Sequence, residues 1–286
     1  MSAGAVLAGR TGGSYRLDEL IAHGRHGDTW RGVDTTTDGT VAVKTLHPRE
    51  GDTGDLDSAG QEEWGFLKRL EANCRGMPRL RHPSLVTFRD FGWTPGIGAY
   101  LVREYVAGTS LWDLLQHGRL GAPRSMRLIA QAAAGLVAAH EFGVYHSDLH
   151  PANLLVCPDD TLLVNDAGLV RLVMRLPPQG EPQLLGRPPY LSPEEAMFQT
   201  PSRASDVFAL GVVAHHCLAG RPPWTGETPM HIALSMIREP PAPLPDDVPD
   251  EVRTLVASAL VTKPADRLLT MAGFAVAARD RSASGA

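Results

Sequence analysis

Residues 146–156 read HSDLHPANLLV, between a helix-patterned segment, SMRLIAQAAAGLVAAHEF, and a short apolar run, TLLVN. The stretch is therefore expected to be a loop joining regular elements, with polar side chains at fixed offsets. Asp148 suits the task of accepting a proton from an attacking hydroxyl, and Asn153, five residues on, can supply an oxygen ligand to a metal. Asp166 closes TLLVN just before Ala167-Gly168, where its carboxylate suits Mg²⁺ bridging nucleotide phosphates. An aspartate in a turn is by default a turn former, so no one of these residues decides the matter alone.

Upstream, Tyr15 to Leu46 reads as strand, glycine loop, strand, turn, strand, with Asp38-Gly39 as the hairpin signal. HGRHG at 23–27 places Gly24 and Gly27 where absent side chains let backbone N–H groups approach phosphates, although such turns more often only connect strands. Lys44 ends VAVK on the third strand; an exposed strand lysine is the default, and projection into a cleft is the functional reading. A helical stripe then follows at Glu63, Leu67, Leu70 and Cys74, which turns Glu63 inward. Glu62, with Phe66 and Arg69, makes a poorer stripe. A Lys44–Glu63 pair would hold the ammonium against α- and β-phosphates.

Two strand-like runs, SLVTFRDFGW and AYLVREYV, precede Ala107-Gly108, after which the chain is mainly helical. Helices are expected in SMRLIAQAAAGLVAAHEF, with Ile129, Ala133, Leu136 and His140 on one face, and in DVFALGVVAHHCLAG, apolar nearly all round. Two more fall within DEVRTLVASALV and TMAGFAVAAR. The expected class is α+β, with an N-terminal extension at 1–14, a small β-rich lobe at 15–106, a larger helical lobe at 107–279 and a frayed tail at 280–286.

Composition narrows the function. A net charge of −5 over 286 residues gives no polyanion-binding surface, so nucleic acid is not an expected partner. Cys74, Cys157 and Cys217 are far apart and form no C-x-x-C pair, so neither a disulfide framework nor a zinc site is indicated. MSAGAVLAGR lacks the charge and apolar length of a signal peptide, and Gln131, His140, Asp206 and paired histidines interrupt the apolar runs. A cytoplasmic protein without a membrane span is expected; nothing in the sequence fixes an oligomeric state.

The order of glycine loop, strand lysine, helix glutamate, H-x-D-x-x-x-x-N and D-x-G resembles the eukaryotic-type (Hanks) protein kinases of bacteria, from Tyr15 to Arg279. The resemblance implies a bilobal fold that uses ATP and Mg²⁺ on a protein or peptide Ser/Thr hydroxyl. It implies nucleotide contacts from Gly24, Gly27, Ala42, Lys44, Asn153, Asp166 and the backbone of Glu104 and Val106, metal ligation by Asn153 and Asp166, and catalytic roles for Lys44, Glu63, Asp148 and His150. YLSPEEA resembles the end of an activation segment, SDVFALGVV the buried helix whose Asp206 braces the catalytic loop, and Arg267 the partner of Glu194. The aminoglycoside and choline kinases have a similar H-G-D-L-H-P-x-N loop but usually lack the SPE-type segment and commonly have an aromatic residue after the metal-binding aspartate.

Four departures bear on function. Ser147 replaces an arginine that in many relatives binds a phosphorylated activation loop, and no Ser or Thr lies between Ala167 and Leu191. Activation by loop phosphorylation is then not expected unless Tyr190 serves, leaving constitutive competence or a regulatory protein partner. His150 stands in place of a lysine and Arg187 in place of a threonine; His150 is either a neutral donor, with Arg187 restoring the charge, or a cation that makes activity pH-sensitive. Arg103 occupies the gatekeeper position, either competing with Lys44 for Glu63 or extending to solvent. The alternatives to a protein kinase are a small-molecule phosphotransferase and a nucleotide-binding scaffold.

Overall fold

The computed structural model describes residues 3–24, 27–46, 71, 74, 77–94, 97–169, 187–267 and 269–283. The chain divides at Ala107 and Gly108 into a strand-built unit and a helical unit, with His82–Leu85 belonging to the second.

In the first unit β1 (Val6–Ala8), β2 (Ser14–Gly24), β3 (Gly27–Asp34), β4 (Gly39–Leu46), β5 (Phe88–Thr94) and β6 (Gly98–Glu104) form one antiparallel sheet in the order β1-β2-β3-β4-β6-β5. The β3–β4 turn closes where Asp38 takes φ 57° and Asp34 Oδ1 accepts from Thr36 N–H and Oγ1. Alternation sends Val41 and Val43 into a core with Leu17, Trp30, Tyr100 and Val102, and puts Ala42 and Lys44 together on the other face. Each fully buried Val or Leu there contributes about 1.5–3 kcal/mol.

Residues 1–14, expected as an extension outside the lobe, supply β1 to this sheet. Leu7 is fully buried in the core, the Tyr100 hydroxyl donates to Ala8 O at 2.6 Å, and Arg10 N–H donates to Phe91 O on β5 at 2.9 Å. Buried Asp90 accepts from the Tyr15 hydroxyl at 3.0 Å and Thr11 N–H at 3.1 Å. The N-terminal stretch thus bonds to both edges of the original five strands. Of the expected Glu63 stripe, Glu63, Leu67 and Leu70 lie outside the described residues, and Cys74 is buried.

The second unit contains α1 (Leu111–Gln116), α2 (Ala122–Glu141), α3 (Pro193–Ala196), α4 (Arg203–Ala219), α5 (Pro229–Arg238), α6 (Asp250–Ala259) and α7 (Met271–Ala283). A small sheet of β7 (Thr109–Ser110), β8 (Leu154–Val156) and β9 (Leu162–Val164) accompanies them. α4 is its axis: buried on nearly every side, it packs against α2, α6 and α7. A Ser202–Ser205 box caps its start, and Gly220, at φ 75°, ends it in a conformation that disfavours a side chain.

Further features differ from the sequence reading. α1, α3 and α5 are not among the expected helices; for α5, Thr228 caps the start by accepting His231 N–H at 3.1 Å and Pro229 opens the first turn. The tail expected from 280 is helical through Ala283, because Arg281 Nε donates to Glu251 O at 2.9 Å. Among the described residues no helix is long and apolar enough to cross a membrane.

Candidate active site

The HSDLHPAN loop is anchored from beneath by α4. Asp206, 2% exposed, accepts from His146 N–H at 2.9 Å and Ser147 N–H at 3.2 Å, and its carboxylate meets His140 Nε2 of α2 at 2.7 Å. These bonds hold Ser147 at φ 62°, a left-handed conformation costing on the order of 1 kcal/mol for a non-glycine residue. His146 is fully buried. Its Nδ1 accepts from Asp148 N–H at 3.3 Å, so the ring proton sits on Nε2 and is donated to Asn165 O at 3.0 Å.

The same frame holds Asn153 and the residue before Asp166. Asn153 Nδ2 donates to Asp148 O at 2.9 Å, and Asn165 N–H donates to Asn153 O at 2.8 Å, next to Asp166. Asp166 takes φ 59°, and a side chain on Gly168 would strike Val144. With its amide nitrogen committed, Asn153 has Oδ1 as its candidate metal-facing atom. One amide oxygen and one carboxylate form a hard donor set that fits Mg²⁺, which binds few protein groups and completes its shell with phosphate and water. No cluster of three or more His, Cys, Asp or Glu suited to a metal occurs among the described residues.

At the acceptor end, His150 is buried; its Nδ1 accepts from Ala152 N–H at 3.2 Å, and Nε2 lies 3.6 Å from Asp148 Oδ2. Burial above all pushes its pKa below the ordinary histidine value; Asp148 opposes this, while the charge of Arg187 adds to it. The ring is therefore neutral near pH 7 with its Nε2–H toward Asp148, which favours the neutral-donor alternative over the cationic one. The Tyr190 ring lies 6.2 Å from His150, and its hydroxyl bonds to His216 Nδ1 at 2.7 Å. Burial holds His216 down to about 4, so Tyr190 donates. The Trp112 ring meets His216 edge-on at 6.1 Å, and the Arg187 guanidinium lies 5.9 Å from the Trp112 centroid. Trp112 and His216 were missed in the sequence; the only visible signal was a histidine pair inside an otherwise apolar helix.

Below the loop, Glu194 and Arg267 form a buried pair at 3.1 Å, with further Arg267 bonds to Val261 O and Thr262 O. In the first unit Lys44 is buried on β4, opposite Thr29 and Leu101. Gly24 and Gly27 pair across the β2–β3 end, where a side chain on Gly27 would collide with Thr45 O. Glu104 N–H is taken by Thr87 O at 3.0 Å, so an adenine contact there falls to its carbonyl oxygen; Val106 is half-buried. Arg103 is also buried, opposite Ala42, which overturns the solvent-extended alternative. Glu63 lies outside the described residues.

A sheet bearing the strand lysine, followed by a helical unit whose central helix anchors an H-x-D-x-x-x-x-N loop beside D-x-G, defines a protein-kinase fold. The chain belongs to the protein kinase family: residues 15–275 match the protein kinase domain. It is 34% identical over 277 residues to serine/threonine-protein kinase PknA of Mycobacterium tuberculosis, covering 95% of this chain and 61% of that protein. Identity to PknA of Corynebacterium glutamicum is 30% over 261 residues, with 90% and 54% covered. Against PknB of Mycolicibacterium smegmatis it is 32% over 270 residues, with 90% and 41% covered. The chain thus spans less than two thirds of the length of these relatives.

Proposed function

We propose that this chain transfers the γ-phosphoryl group of Mg-ATP to a Ser or Thr hydroxyl of a protein or peptide. The carrying observation is the hydrogen-bonded frame in which Asp206, His146 and Asn153 fix the backbone around Asp148 and Asn165. Asp148 orients the acceptor hydroxyl and takes its proton, and His150 faces the second carboxylate oxygen with an uncharged N–H. Lys44 steadies the nucleotide phosphates, with Glu63 its proposed partner. Gly24, Gly27, Ala42, Glu104 and Val106 line the nucleotide, and Asn153 and Asp166 hold the metal. Magnesium, when bound, neutralises phosphate charge; the protein's own contribution is orientation and exclusion of misaligned encounters.

The mammoth difference between a phosphoryl-transfer site and a bare scaffold is measurable with γ-labelled ATP and Mg²⁺. Wild-type protein is expected to label itself or extract proteins, and Asp148→Asn to lower the rate by about 10²–10⁴-fold. Label appearing only on a metabolite would assign a small-molecule enzyme, and nucleotide binding without turnover a scaffold.

We further propose that activity does not need a phosphorylated activation loop. Ser147 uses its N–H, not its side chain, to meet Asp206. Tyr190, the only hydroxyl residue from 167 to 191, is 5% exposed with its oxygen bonded to His216. Control then lies in constitutive competence or a partner protein. Mass spectrometry of active protein is expected to find no phosphate within 167–191; an activating phosphate there sinks this proposal.

A further inference from the structure

We infer that Arg187, held over Trp112, is a subsite for an acidic side chain of the acceptor peptide, so that the enzyme selects hydroxyls flanked by Asp or Glu. The inference rests on the protein-kinase reading and adds the class of acceptor to it.

Position comes first. Arg187, Tyr190 and Leu191 line one small recess together with Ser147, Asp148, Glu195 and Asp206. An acceptor chain whose hydroxyl reaches Asp148 therefore runs past Arg187. The guanidinium is exposed and forms no ion pair among the described residues, yet it is held 5.9 Å from the Trp112 centroid. Trp112 is a positioning residue: half-buried, it is braced by His216, which Tyr190 fixes in turn. A cation already ordered this way loses little side-chain freedom when it binds an anion.

Charge around the cleft points the same way. His150 and His216 are both held uncharged near neutrality by burial, and burial keeps the Tyr190 hydroxyl protonated. Asp206 is occupied by two N–H groups and His140. Glu195 accepts from Ser192 N–H and Oγ, with its pKa pushed up to about 7, and Asp113 accepts from Ser110 Oγ at the start of α1. Asp148 is engaged with the acceptor hydroxyl itself. Among the described residues, Arg187 is thus left to meet a carboxylate from outside, and a basic flank meets like charge.

The test is a peptide array with one fixed Thr, in which each position within three residues carries Asp, Ala or Lys, assayed with γ-labelled ATP. Wild-type protein is expected to show kcat/KM about tenfold higher for Asp than for Lys at one or more positions. Arg187→Glu is expected to invert that ratio, and Trp112→Leu to raise KM for the acidic peptide by more than it lowers kcat. Labelling without flank preference, or a preference that survives Arg187→Glu, overturns the subsite while leaving the kinase reading intact. Failure of wild-type protein to label any peptide or protein removes the reading beneath it. Should Arg187→Glu misfold, Arg187→Gln, expected to bring the ratio toward one, and the wild-type array decide.

Discussion

The two ends of the HSDLHPAN loop are held in different ways. At 146–148 the anchors are hydrogen bonds to backbone: Asp206 takes the N–H groups of His146 and Ser147, and His146 links Asp148 to Asn165. Beyond 148, His150 lies 3.6 Å from Asp148 and accepts Ala152 N–H at 3.2 Å, and its ring is bordered by Tyr190 and then His216 and Trp112. Backbone-directed bonds do not depend on the side chain that carries the N–H. A serine can therefore stand at 147 without disturbing the anchor, whereas side-chain changes at the acceptor end propagate through contact to Arg187.

That contrast breaks most visibly at Asp206. Asp206→Ala would leave two buried N–H groups and the His140 ring without their shared acceptor, and each unmet group costs about 1–3 kcal/mol. A loss on the order of 5 kcal/mol is expected in urea unfolding, together with loss of phosphoryl transfer. A variant within 1 kcal/mol of wild type would show that the loop is anchored elsewhere.

Glu194–Arg267 is the next largest. Arg267→Met strands a carboxylate that is 4% exposed and is expected to cost about 3–5 kcal/mol. Adding Glu194→Leu should recover most of this, since an apolar pair can replace a buried ionic one. A double variant no better than the single one would mean that the Arg267 bonds to the Val261 and Thr262 carbonyls carry the stability instead. At the ring-held end the effects are smaller: Tyr190→Phe leaves His216 Nδ1 without its donor and is expected to cost about 1–2 kcal/mol in the same assay. A loss as large as that of Asp206→Ala would erase the distinction between the two ends.

These differences track what the sequence made legible. Asp148, Asn153 and Asp166 are visible because short spacing and the flanking helix and strand place them, and the Asp38-Gly39 hairpin is visible because its turn chemistry is local. β1 is three residues long, too short for a pattern, and its place depends on bonds to Phe91 and Tyr100 far along the chain. α5 hides behind Pro229, which reads as a loop breaker until Thr228 is seen as its cap. RDRSASGA reads as a frayed end, yet Arg281 bonds to a carbonyl thirty residues earlier. Trp112, Tyr190 and His216 sit on separate elements, so no spacing rule joins them.

The smallest effect concerns pH. Burial holds His150, His215 and His216 below the ordinary value of 6.5, His216 down to about 4. Above 6.5 both folded and unfolded chains are neutral at these rings; below it the unfolded chain gains protons first, so stability falls with pH, until about 4 for His216. Glu195 has the opposite sign: pushed up to about 7, it stays protonated in the fold where the unfolded chain ionises above 4.5, so its contribution grows as pH drops from 7 to 4.5. The two trends offset one another. Glu195→Gln removes only the second, so its urea midpoint is expected to fall more steeply than that of wild type between pH 7 and 5. Parallel slopes would mean that Glu195 is already ionised beside Ser147 and Asp148, and the cleft that presents Arg187 would then carry one more negative charge than its burial allows.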